Sequence, residues 1–125
     1  MRVQNKQTKG EDSMMIKLPS IIEAFVQGKN NHDSEAVVAC FTNDAVVHDE
    51  GQEFRGTAAI KKWLDASIAK YKFTLTAKKL VDFDKETVLT AEVSGDFEGS
   101  PVPLDFHFTI REGKIDRLSI LLAGK

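Results

Sequence analysis

The chain has 125 residues, with 17 basic against 19 acidic side chains and a net charge of -2. That length fits one domain burying roughly two-thirds of its unfolded surface in a single core, and the near-neutral charge gives no electrostatic reason to expect nucleic acid or an anionic membrane as a partner. The single Cys40 excludes an internal disulfide and lies in an apolar run, so it reads as a packed thiol in a reducing, cytoplasmic setting.

Residues 1–15 are polar and charged, with Gly10 among them and no apolar periodicity. They read as a tail, either disordered or an extension, ahead of a domain over residues 16–125. No leader pattern of charge followed by an apolar stretch is visible, and no apolar run approaches the ~20 residues of a spanning helix.

From Leu18 onward, Ile21, Ile22, Phe25 and Val26 recur at three- and four-residue steps, which predicts a helix with Pro19 in its first turn. Lys29, Asn30 and Asn31 supply the chemistry that ends it. Asp33 or Ser34 then caps a shorter helix whose Val37, Val38 and Phe41 face inward. In the strand that follows, Ala45, Val47 and Asp49 share one face and Val46 and His48 the other. Glu50-Gly51-Gln52 turns the chain into a short return strand, Glu53-Phe54-Arg55. A third helix begins at Gly56-Thr57 with Thr57 as its cap, and carries Ile60, Trp63, Leu64, Ser67, Ile68 and Tyr71 along one stripe.

The remainder alternates as strands do. Phe73, Leu75 and Ala77 form one apolar face, a bulge is expected at Lys78-Lys79, and Val81 and Phe83 resume the same parity. Leu89, Ala91, Val93, Gly95 and Phe97 make the next inner face, followed by Leu104, Phe106, Phe108 and Ile110. Ile115, Leu118, Ile120 and Leu122 close the domain with a change of parity near Asp116-Arg117. The fold class expected is α+β: a curved, mostly antiparallel six-stranded sheet wrapped as a cone around three helices, with an open end able to hold a small ligand.

Asp49 is the residue that invites a chemical role, because it ends an apolar strand face just before a tight turn. It is either a carboxylate at the lip of a pocket or a strand-end acid that caps the turn or pairs with Arg55, while Arg55 could equally form a surface ion pair with Glu53. The triplet His48-Asp49-Glu50 is not read as a metal site, since successive strand side chains diverge. There is no G-x-S-x-G, phosphate loop or dinucleotide fingerprint, so no cofactor is expected.

Four phrases carry a family resemblance: Phe41-Thr42-Asn43-Asp44-Ala45-Val46-Val47-His48-Asp49, Phe54-Arg55-Gly56-Thr57-Ala58-Ala59-Ile60-Lys61-Lys62-Trp63, Gly95-Asp96-Phe97-Glu98-Gly99-Ser100-Pro101-Val102, and Arg111-Glu112-Gly113-Lys114-Ile115. With them, about residues 18 to 122 resemble the nuclear-transport-factor-2-like (cystatin-like) superfamily, in its SnoaL-like, ketosteroid-isomerase-like branch. The resemblance implies that Asp49 occupies the position of a general-base Asp. It also implies that the position of a first-helix Tyr donor is filled by Phe25, which has no proton to give. A second donor position falls on Asp105 or on Phe106, and strand alternation favours Phe106 as the inward residue.

Two functions are carried forward. One is a cofactor-independent isomerase, cyclase or hydrolase for a small apolar carbonyl compound. Asp49 is then its catalytic acid or base, and Phe25, Phe54, Arg55, Trp63, Tyr71, Phe97 and Phe106 form the ligand site. The other is a non-catalytic module that binds a ligand or dimerises. A homodimer is expected through the outer sheet face bearing Thr90, Glu92, Ser94, Asp105, His107 and Thr109.

Overall fold

A computed structural model of the chain describes residues 16–123, so the tail expected over residues 1–15 lies outside the described residues. Helix α1 (Ser20–Asn30) buries Ile22, Phe25 and, one turn further on the same face, Lys29. Pro19 sits at its N-cap with ψ 148°, just ahead of the first turn rather than within it. Helix α2 (Ser34–Val38) is capped by Asp33, whose carboxylate accepts the Ala36 N–H at 3.2 Å. The two helices meet at Gly28, where an added Cβ would lie 2.8 Å from the Val37 side chain.

Strand β1 (Phe41–Asp49) runs into β2 (Gln52–Arg55) through Glu50 and Gly51, both at positive φ (53° and 76°). That is the two-residue hairpin whose twist suits antiparallel strands, and it stops β1 at Asp49. Helix α3 (Thr57–Tyr71) is capped by Gly56 rather than Thr57. The chain leaves the sheet edge there at φ 88°, a conformation that favours glycine, and the Gly56 N–H is taken by the Ala45 carbonyl at 2.8 Å. Four strands follow: β3 (Thr74–Asp82), β4 (Thr87–Ser94), β5 (Val102–Arg111) and β6 (Lys114–Leu122).

These form one six-stranded sheet in the order β2-β1-β6-β5-β4-β3, antiparallel throughout except for the β1–β6 pair. The architecture is the α+β one expected, three helices against a mostly antiparallel sheet. Two irregularities bend it. The register shifts between Ala77 and Lys79, where the Lys pair had suggested a bulge, but the extra residue reverses the parity beyond it. Leu80 therefore pairs with Leu89 and packs inward, while Val81 and Phe83, expected inside, are 37% and 56% exposed. The second shift, between Thr109 and Ile110, produces the change of parity anticipated near Asp116.

Phe106 and Phe108 face the helices, as alternation requires. Asp105 binds the Thr90 hydroxyl on the outer face, and His107 meets Glu86 there at 3.0 Å. Phe25 stands edge-on to Phe41, Phe106 and Phe108, with ring centres 6.2, 6.1 and 5.2 Å apart. Such aromatic packing fills one part of the cone. Cys40 is buried and burial pushes its thiol up, which fits a packed thiol rather than a nucleophile. No helix among the described residues is long and apolar enough to cross a membrane.

Candidate active site

Beyond the phenylalanine cluster the cone stays open as a cavity of about 540 Å³. Its walls come from every layer of the fold: Lys29 from α1, Asp49 from the end of β1, Trp63, Ser67 and Tyr71 from α3, and Leu75, Val93, Leu104, Phe106 and Ile120 from the sheet. Gly95 shapes the rim. A Cβ there would sit 2.6 Å from the Tyr71 carbonyl, so only glycine lets the end of β4 close on the end of α3. The Asp96 N–H takes that carbonyl at 2.7 Å, and Phe97 is thereby set edge-on to Tyr71 with ring centres 5.7 Å apart.

Asp49 is held by Trp63, whose indole N–H donates to its carboxylate at 3.0 Å. Burial pushes the carboxyl above its ordinary range, and the neighbouring Glu50 charge adds to that. The Trp63 bond and the charge of Lys29 pull the other way without cancelling the rise. The result is a partly buried carboxylate with raised proton affinity, its orientation fixed by one indole.

Lys29 is the unexpected member. Only 5% of it is exposed, and among the described residues its ammonium has no hydrogen-bond or ion-pair partner. It lies instead against three ring faces, 4.6 Å from the centre of Phe73, 4.8 Å from Trp63 and 5.5 Å from Phe25. Burial lowers its pKa to about 8, with the Asp49 charge acting in the opposite sense. The two groups feel one another's charge across the cavity without forming an ion pair. Trp63 serves both, its ring face against the ammonium and its N–H on the carboxylate. The end of α1 that carries Lys29 is pinned to β3: the Asn30 amide donates to the Leu75 carbonyl at 3.0 Å and accepts the Leu75 N–H at 2.6 Å, while His32 Nε2 meets the Phe73 carbonyl at 2.7 Å.

Of the residues named from sequence, Asp49, Trp63, Tyr71, Phe97 and Phe106 line this cavity. Phe25, Phe54 and Arg55 do not. Phe25 is fully buried in the aromatic cluster and reaches the site only indirectly, through Lys29 and Phe106. Phe54 lies on the far side of Trp63, stacked on it at 6.0 Å. Arg55 points to solvent from the edge strand, its side chain 66% exposed, and pairs with Glu53 at 3.0 Å rather than with Asp49. Glu53 in turn holds His48 at 3.1 Å on the same outer surface. Tyr71 spends its hydroxyl on a long 3.5 Å bond to Glu50 at the mouth.

The missed residue was Lys29, taken from sequence as helix-terminating chemistry. The signal was its spacing: Ile22, Phe25 and Lys29 follow steps of three and four, so the stripe that buries the first two must bury the third.

The family profile described as SnoaL-like domain matches residues 22–118. Among solved structures, a candidate polyketide cyclase from Sinorhizobium meliloti is 35% identical, over 83% of this chain and 95% of that one, with a TM-score of 0.80. A protein of ketosteroid isomerase-like fold from Catenulispora acidiphila, solved with trimethylamine, is 19% identical over 86% and 88% of the two chains, with a TM-score of 0.77. The epoxide hydrolase/cyclase-like enzyme SalBIII, which acts in pyran ring formation in the polyether salinomycin, is 19% identical over 84% and 89%, with a TM-score of 0.74. At 19% identity these last two speak for the fold alone. No curated protein matches the chain.

Proposed function

The chain belongs to the SnoaL-like family, and from that premise we propose that it is a cofactor-independent isomerase, cyclase or hydrolase acting on a small, largely apolar carbonyl compound, with Asp49 as general acid and base. The observation that carries this is the setting of Asp49. It stands on the wall of an open cavity rather than on the surface, its carboxylate fixed by the Trp63 N–H and desolvated by its neighbours. A module that merely dimerised would have no use for the opening and would fill the cone with its own phenylalanines. Here Phe73, Phe97 and Phe106 form parts of its wall and leave the cavity between them open.

The chemistry follows from elementary acidity. A carboxylate of raised proton affinity is a better base toward a weakly acidic C–H beside a carbonyl, and the acid it becomes can return the proton elsewhere. Returning it to another carbon is isomerisation. Letting the enolate carbon attack a second carbonyl closes a ring, and the 35%-identical relative, described as a candidate cyclase, favours that branch. Apolar walls from Leu104, Phe106 and Val93 keep competing water from the reacting carbon.

The test is a thermal-shift screen of small carbonyl and polyketide-like compounds against wild type and Asp49→Asn, followed by solvent deuterium exchange into the α-carbon of each hit. Asn keeps the shape of Asp but cannot take a proton. Binding should therefore persist while exchange falls by about 10²–10⁴-fold. Exchange that survives the substitution would remove Asp49 as the base.

A further inference from the structure

The ionisable groups in the cavity wall are Asp49, Glu50, Tyr71, Glu98 and Lys29; Lys29 is the one cation among the described lining residues, and it has no role in the proton abstraction assigned to Asp49. Its position is costly. A buried ammonium normally finds a carboxylate or carbonyl oxygen, yet among the described residues Lys29 meets only ring faces, which attract the charge but accept none of its three N–H bonds as an oxygen would. The helix end that carries it is fixed, because Asn30 bonds the Leu75 backbone in β3 and His32 the Phe73 carbonyl just ahead of β3. What remains for those donors is the cavity they line.

We infer that Lys29 binds the oxygen of the ligand that becomes negatively charged, so that the site takes enolisable carbonyl compounds with their enolate oxygen on the Lys29 ammonium and their acidic C–H toward Asp49. This rests on the proton-transfer reading of Asp49 and adds to it the group that makes the transfer affordable. In the step, an Asp49 carboxylate oxygen takes the α-proton. The C–H pair becomes the new C=C bond, the carbonyl π pair moves onto oxygen, and a Lys29 N–H bonds to that oxygen. Charge is conserved: the carboxylate becomes neutral as the enolate forms, and the ammonium stays protonated. The cation thus gains an anionic neighbour as the enolate develops, in a site where low polarity magnifies the attraction. A neutral amide or ester that cannot enolise offers no such charge and gains only the apolar walls.

The probe is 1-phenylbutane-1,3-dione, whose enolate absorbs at longer wavelength than its neutral forms, with non-enolate-forming butylbenzene as the control. At a pH where the free diketone is neutral, wild type should bind it with the enolate spectrum. Lys29→Met should lose that spectrum and bind the diketone at least tenfold more weakly, while holding butylbenzene as wild type does. Asp49→Asn should keep the enolate spectrum. Should Lys29→Met not fold, wild type alone decides through ¹³C NMR of ε-labelled lysine, in which one resonance must titrate at higher pH when the diketone is bound. The enolate spectrum surviving in Lys29→Met, no enolate in wild type, or an unmoved lysine titration would each overturn the assignment. A mass gain trapped by borohydride would overturn it too, replacing an ammonium with an amine that bonds covalently to the carbonyl. The two readings fail separately: exchange that survives in Asp49→Asn removes the base and leaves the enolate spectrum to judge Lys29, and the reverse pattern removes only Lys29.

Discussion

Replacing Lys29 by Met tests the physical basis of the site before any ligand is known, because Met keeps an unbranched apolar stem and removes the charge. Burial lowers the ammonium's pKa from 10.5 to about 8. Below pH 8 the folded and unfolded chains both hold the proton, and the cost of burying the charge is borne in full. Between about 8 and 10.5 the unfolded chain still binds a proton that the folded chain has released, so wild-type stability from this group rises with pH across that window. Each pH unit returns up to ~1.4 kcal/mol, or about 3 kcal/mol over the whole window. Attraction of the ammonium to ring faces, about 0.5–2 kcal/mol in such settings, favours the charged form, so this figure is a ceiling. Urea unfolding of wild type and Lys29→Met from pH 7 to 10.5 isolates the effect, since other titrating groups cancel in the difference. The variant's stability relative to wild type should be highest near pH 7 and should fall steadily above pH 8. A difference flat to within about 0.5 kcal/mol would mean that Lys29 titrates as it does in water, and the buried ammonium would be refuted.

Trp63→Ala should cost about 3–5 kcal/mol in chemical denaturation, since it removes a large side chain packed between Phe54 and Lys29; a loss below about 1 kcal/mol would contradict its burial. Asp49→Asn should be stabilising near neutral pH. The folded chain's raised pKa means that wild type loses stability as pH rises above 3.8 through the folded pKa. Melting curves from pH 3 to 7 should show that advantage vanishing at the acid end, and a pH-independent difference would contradict it. A homodimer through the outer sheet face bearing Thr90, Asp105 and His107 predicts sedimentation at twice the chain mass at micromolar concentration, and a monomer there would count against that surface.

Strand alternation and helical spacing were enough to reveal the architecture, because a two-residue period and a three-to-four-residue period place apolar faces with little help from tertiary context. They also settled Phe106 over Asp105 as the inward residue of β5. Parity failed where one extra residue entered. The bulge after Ala77 was visible as a Lys pair, but its consequence, the exchange of Leu80 for Val81 on the inner face, depends on counting the bulged residue. In the site, Asp49 and Trp63 were legible separately, but their bond was not, since a 3.0 Å contact between the end of β1 and the middle of α3 is a fact of packing. For Arg55 the sequence allows a ligand contact, a pair with Asp49 or a surface pair with Glu53, and only the hairpin decides: it puts Asp49 on the cavity and Arg55 on an edge strand beside Glu53. Lys29 was hidden by its residue type. Lysine at a helix end ordinarily serves the last carbonyls from solvent, and composition outweighed the spacing that buried it.

On the proposed reading, the separation of Lys29 from Asp49 is the feature that would let a ligand bind. Two opposite charges in one cavity of low polarity would gain most by touching, and a flexible pair would collapse into an ion pair and close the site. The fold prevents this by anchoring them on different elements. Asp49 ends β1 and is bonded to Trp63, and Lys29 is carried by a helix end that Asn30 fastens to Leu75 of β3 and His32 to Phe73 just ahead of it. Each charge has therefore borne its desolvation without receiving its partner, and that unmet attraction is available to a molecule placed between them. An enolisable carbonyl offers a proton to one side and an oxygen to the other. Because the unfolded chain holds the two groups in water and apart, such a molecule would bind the folded state alone and would raise its stability by about 2.7 kcal/mol at a hundredfold excess over its dissociation constant. For a 125-residue chain that would be a rise of roughly 10 degrees in melting temperature, which makes thermal shift sensitive enough to find the ligand class even when the natural compound is not in the screen.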